Sequence, residues 1–171
     1  VFIMHSDGTN RIQLTAGDAQ YFYAAWSPDG KHMTYASKRV DEPIDSSRIY
    51  LIEVENPASA RLVGKGIGVR WIDAERFVTV TPGVLPHPHT TLYSVCSSEP
   101  IEISEDSTNT FPLADGTSVL VQDMREGRGG WWVRTGGMKG DGALKQVLSS
   151  EYFSSSFTSA SLRYIMYRET N

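Results

Sequence analysis

A hairpin signature that returns at nearly constant spacing constrains this chain more than any other feature. Its clearest copy is Ala25-Trp26-Ser27-Pro28-Asp29-Gly30-Lys31-His32-Met33-Thr34-Tyr35, two strand patterns joined by a Ser-Pro-Asp-Gly turn. Proline presets φ for the turn, and glycine enters the left-handed region without a Cβ penalty. Weaker echoes cover residues 71–78, 113–120 and 159–167. Aligned on the turn, Met33, Phe77, Val119 and Ile165 fall in register, at spacings of 44, 42 and 46 residues.

Between these hairpins a second pair of strand patterns recurs. Its first members, at residues 1–4, 49–52, 92–95 and 131–133, each carry an aromatic residue. Short strands follow at 11–15, 61–63, 101–104 and 146–149, and Asp7-Gly8 marks the first intervening turn. With the four strands of a unit named a, b, c and d, the chain runs c-d, then a-b-c-d three times, then a-b. Helical periodicity is poor throughout. A four-stranded unit of roughly 43 residues predicts an all-β fold, a β-propeller with about four four-stranded antiparallel blades in this chain. The rival architecture is a two-sheet sandwich, whose strands have no reason to repeat one hairpin at fixed spacing.

The segment Trp26-Ser27-Pro28-Asp29-Gly30-Lys31, followed by Met33-Thr34-Tyr35-Ala36-Ser37, resembles the TolB-type WD40-like (PD40) β-propeller repeat. The stretch from Phe2 through Asp7-Gly8 to Leu14-Thr15 is similar to that repeat's outer strands. Residues 69–150 depart from the pattern, since neither 71–74 nor 112–116 carries the full turn. The resemblance implies a repeat array over residues 1–171, divided into units 1–19 with 157–169, 23–66, 68–107 and 110–150. It also implies six to eight blades in a full ring and, if TolB-like, a periplasmic or secreted protein. Four units are the lower limit of the propeller range. Three arrangements stay open: a closed four-blade ring, part of a larger propeller, and two copies joined head to tail. Val1 falls inside a strand pattern without an initiating Met, so either a longer precursor or a trimmed chain is expected.

Bulk composition excludes several function classes. A net charge of −4 offers no basic field for phosphates, so no nucleic-acid partner is expected. Apolar runs are short, the longest being the six residues 21–26, far too short for a membrane span. Cys96, the single cysteine, rules out an internal disulfide framework and reads as a small buried residue in a strand.

Catalytic motifs are absent: there is no Gly-x-Ser-x-Gly elbow, no His-Glu-x-x-His and no phosphate loop. Gly64-Lys65-Gly66-Ile67-Gly68 reads as a link between units. His87 and His89 form a His-x-His pair whose imidazoles, in an extended segment, point to one side and suit a divalent metal ion. A His-Pro-His segment is also similar to the metal-site histidines of the propeller-fold oligogalacturonate lyases. The rival reading is a proline-stiffened surface loop; His5 and His32 read as structural or exposed.

The b-to-c connections at 37–47, 81–90 and 123–130 are long, and a propeller brings them to one face together with the d-to-a links. Loops on a rigid scaffold are where binding concentrates. Lys38 and Arg39 in the first and Arg125 and Arg128 in the third are the candidate partner-binding residues. Trp26, Trp71, Trp131 and Trp132 read as packing residues, with one of the adjacent pair turned outward. The expected function is a non-enzymatic scaffold that binds a protein or peptide partner through this face, with homo-oligomerisation or further blades completing the ring. The alternative is the propeller portion of an enzyme, either a metal-dependent lyase or the gate of a serine peptidase.

Overall fold

A computed structural model describes residues 1–81, 89–104, 107–113, 118–123, 130–135, 143–149, 156–158 and 165–167. Sixteen strands follow in chain order: β1 (Phe2–Ile3), β2 (Ile12–Gln13), β3 (Ala19–Trp26), β4 (His32–Arg39), β5 (Arg48–Glu53), β6 (Asn56–Lys65), β7 (Ile67–Trp71), β8 (Arg76–Thr81), β9 (His89–Ser94), β10 (Ile101–Ser104), β11 (Ser107–Pro112), β12 (Val119–Asp123), β13 (Gly130–Arg134), β14 (Leu144–Ser149), β15 (Ser156–Thr158) and β16 (Ile165–Tyr167). The one helical segment among the described residues is a 3-10 turn at Ile44–Ser46.

Strands β3 to β6, β7 to β10 and β11 to β14 form three four-stranded antiparallel sheets in sequence order. The hairpins β1-β2 and β15-β16 stand as two-stranded sheets at either end. Pairing confirms the repeat at single-residue precision. Met33 lies opposite Trp26, Phe77 opposite Trp71, Val119 opposite Pro112 and Ile165 opposite Thr158, so the four aligned residues hold one structural position.

Local chemistry explains why the turns form. Ser27 Oγ donates to Asp29 Oδ1 at 2.6 Å, Lys31 N donates to the same oxygen at 3.1 Å, and Gly30 adopts φ +72°. Those hydrogen bonds hold the Asp29 carboxyl below its usual range. The second unit reaches a similar turn without glycine. There Asp73 Oδ1 accepts from the backbone of Glu75 and Arg76 at 2.9 and 2.8 Å, while its other oxygen pairs with the Arg76 guanidinium.

The core is a series of layers. Leu14, Met33, Tyr35 and Ile52 fill the space between β1-β2 and the first four-stranded sheet, with Ile3 and Tyr50 packed beside them. Ala36, Ile49, Leu51, Phe77 and Tyr93 fill the next, and Val78, Leu92, Ile103, Val119 and Val121 the one after. Phe111, Leu120 and Trp131 cluster on the far side of the third sheet. Adjacent residues such as Tyr35 and Ala36, Phe77 and Val78, or Val119 and Leu120 serve different layers, as the two-residue period of a strand requires. Each four-stranded sheet therefore buries apolar side chains on both faces, which a two-sheet sandwich does not. Polar ties reinforce the seams. Trp71 Nε1 donates to Ala25 O at 3.2 Å, and Arg61 Nη2 donates to Val95 O at 2.8 Å.

Two sequence expectations need correction. Cys96 is exposed, in the turn after β9 rather than within a strand, because β9 ends at Ser94. Trp26 is 50% exposed although Trp71, at the same register position, is packed against the preceding sheet. Of the adjacent pair, Trp131 is buried and Trp132 half-buried. Gly64 to Gly68 links two sheets as expected, with Gly66 at φ +145° between β6 and β7.

Candidate functional site

Antiparallel order sends the β4–β5, β8–β9 and β12–β13 connections to one end of the sheets, with the β2–β3 and β6–β7 links beside them. Of the long connections at this end, residues 40–47 are described in full. Their organising group is Glu42. Its carboxylate accepts from Arg48 Nη1 at 2.8 Å and Nη2 at 3.2 Å, and from the Arg39 backbone N–H at 3.1 Å. The bidentate Arg48 pair, followed by the backbone donor, brings the Glu42 carboxyl down to about 2.

Because that value lies below the ordinary 4.5, the pair contributes fully above the ordinary carboxylate range and is lost as pH falls toward 2. An NMR titration of the Glu42 carboxyl is expected to show a midpoint near 2, rising toward the ordinary value in Arg48→Met. An unmoved midpoint in that variant would remove Arg48 as the cause.

Below this loop lies a cleft of about 430 Å³, lined by Lys38, Arg39 and Arg48 together with Tyr21, Tyr35 and Tyr50. Tyr35 and Tyr50, opposite each other on β4 and β5, stack with centroids 5.3 Å apart, and Tyr21 meets Tyr35 edge-on at 5.9 Å. Burial, helped by the two neighbouring phenols, pushes the Tyr35 hydroxyl up to about 12, so it stays protonated as a donor. Lys38 Nζ donates to the Arg39 and Glu42 carbonyl oxygens at 3.1 and 2.8 Å. Arg39 pairs with Asp41 at 3.7 Å, both about three-quarters exposed, a contact that screening makes weak. Lys38 and Arg39 are thus brought together, while Arg125 and Arg128 lie outside the described residues.

His87 also lies outside the described residues. His89 opens β9, and its Nδ1 sits 2.7 Å from Glu102 Oε1 on the neighbouring strand β10. Among the described residues no group of three or more His, Cys, Asp or Glu side chains converges as a metal site. His5 is exposed, and His32 stacks on Trp71 with centroids 6.3 Å apart. The sequence reading passed over Arg48 and the three tyrosines. The opposition of Tyr35 and Tyr50 was available from the hairpin alignment, but their union with Tyr21 depends on the fold.

No family model matches the chain, and no curated protein matches it. Solved structures do. The chain resembles TolB from Acinetobacter baumannii at 16% identity and TM-score 0.60, covering 96% of this chain and 41% of that one. It resembles the β-propeller domain of the Trilobed protease from Pyrococcus furiosus at 16% identity and TM-score 0.58, over 89% of this chain and 50% of that one. The fold is that of a β-propeller. A third match is the Pyrococcus horikoshii acylaminoacyl peptidase, at 17% identity and TM-score 0.63, covering 99% of this chain and 31% of that one. The chain spans half or less of the length of each.

Proposed function

We propose that this propeller segment is a non-enzymatic interaction scaffold whose loop-rich face holds an acidic, aromatic-bearing segment of a protein or peptide partner. The observation that carries the reading is the cleft in which Lys38 and Arg39 stand beside Tyr21, Tyr35 and Tyr50. Cations beside stacked aromatic rings suit a carboxylate next to a ring better than a purely apolar ligand. Arg125 and Arg128 belong by sequence to the third long connection, and the reading assigns them to the same partner.

The test uses fluorescence anisotropy with two labelled peptides, one rich in Asp, Glu and Phe and one with Lys in place of the acids. The acidic peptide is expected to bind more tightly, with the preference fading in high salt. Replacing Lys38 and Arg39 together by Ala is expected to weaken it roughly tenfold, about 1.4 kcal/mol, with a comparable loss for Arg125 and Arg128. Equal binding of both peptides, or binding unaffected by either pair of substitutions, would discard the reading.

A second reading keeps the chain as the propeller portion of an enzyme. It is favoured by the match to an acylaminoacyl peptidase of which this chain covers 31%.

A further inference from the structure

The cleft beside the 40–47 loop contains polar groups that the fold has buried without matching them. Tyr35 and Ser37, two residues apart on β4, point to the same side of the first four-stranded sheet. Both line the cleft, at 5% and 9% exposure, so each is more than nine-tenths buried. Neither hydroxyl has a hydrogen-bond partner among the described residues, whereas Tyr21 beside them donates to Ala16 O at 2.8 Å. Neither oxygen is sealed from solvent, so both open into the cleft that their residues line.

The neighbouring strand adds two more donors. Tyr50 lies opposite Tyr35, Arg48 lies opposite Ser37, and both line the cleft. The Tyr50 hydroxyl also lacks a hydrogen-bond partner among the described residues. Glu42 grips Arg48 through Nη1 and Nη2 at 2.8 and 3.2 Å, which fixes the guanidinium while leaving its other N–H groups to donate. Among the described residues no Asp or Glu lines the wall, so three hydroxyls and a guanidinium are gathered there with no acceptor of opposite charge.

Burying an unmatched hydroxyl costs stability, and a ligand that supplies the acceptor recovers it. Electrostatics limits the charge such a ligand carries. Arg48 is offset by Glu42 and Arg39 by Asp41, which leaves neutral hydroxyls as the main donors. These surroundings suit one negative charge better than the two of a phosphate. We propose that Tyr35, Ser37, Tyr50 and Arg48 form a carboxylate-binding pocket. It rests on the reading above for the source of the ligand, which is then an Asp or Glu side chain of the partner segment. Lys38 and Arg39 draw that segment in, and the hydroxyls select a carboxylate over the isosteric amide, whose NH2 group would face donors.

The test compares the unsubstituted protein with a variant carrying both Tyr35→Phe and Ser37→Ala. Acetate is titrated at constant ionic strength and followed through the tyrosine ring resonances. The response is expected to saturate in the unsubstituted protein and to vanish in the variant. The acidic peptide is expected to bind the variant roughly tenfold more weakly, since hydrogen bonds to a charged group are the stronger kind. A third peptide, with Gln and Asn in place of the acids, is expected to bind both proteins alike. Because Phe preserves the ring that stacks on Tyr50, the variant's melting temperature is expected not to fall. No acetate response, tighter binding of inorganic phosphate than of acetate, equal acidic-peptide binding by both proteins, or a lowered melting temperature would each overturn the pocket. Equal peptide binding that still requires Lys38 and Arg39 would overturn the pocket alone and leave the partner reading in place. A saturating acetate response without preference for the acidic peptide would support the pocket and discard the partner reading.

Discussion

Phe77→Ala is expected to destabilise the chain by roughly 3–5 kcal/mol, read as the shift in a urea unfolding transition. Phe77 is fully buried in the layer between the first and second four-stranded sheets. Its ring centroid lies 4.9 Å from that of Trp71 and 5.5 Å from that of Tyr93, so truncation empties the space around which both are arranged. For a chain of this size each kcal/mol lowers the melting temperature by about 2–4 °C. Tyr23→Ala, at a site 60% exposed, serves as the comparison and is expected to stay within about 0.5 kcal/mol. A Phe77→Ala loss no larger than that of Tyr23→Ala would refute the layered core.

Gly64→Ala is expected to cost about 1–3 kcal/mol, toward the upper end, for the opposite reason. A Cβ at this position would collide with the Tyr93 hydroxyl and come within 2.7 Å of its Cζ. Tyr93 cannot simply swing aside, because its ring stacks on Phe77 at an interplanar angle of 16°. The glycine is thus required by close approach across the seam. Tyr93→Leu in the Gly64→Ala background separates this from a backbone effect. The double variant is expected to lose clearly less than the sum of the two single losses, since contacting sites couple. Strict additivity would show that Gly64 acts through its own backbone.

The repeat was legible because turn chemistry is local. Ser27, Asp29 and Gly30 carry the first hairpin within four residues, so their spacing reveals the period before any long-range contact is known. The second hairpin was fainter since Asp73 does the work of both turn-forming groups through side-chain hydrogen bonds that leave little trace in composition. Exposure was harder to foresee. Trp26 and Trp71 are equivalent in sequence and register, and what separates them is whether a preceding sheet supplies a cover. Cys96 was assigned to a strand, yet β9 ends two residues before it, at Ser94. At the loop-rich end, Lys38 and Arg39 stood out by charge alone. The tyrosine floor did not, because it joins β3, β4 and β5. The link between His89 and Glu102 likewise joins adjacent strands, and nothing local to either residue announces it.

Because its apolar residues lie in separate seams rather than one shared interior, the chain resembles a bound stack of leaves, each glued only to the next. Loosening then starts at the outermost leaves and works inward, and a lesion in one seam weakens two leaves while sparing the remainder. The rim is free to diversify under such an arrangement, since rewriting a connecting stretch leaves every glued surface untouched.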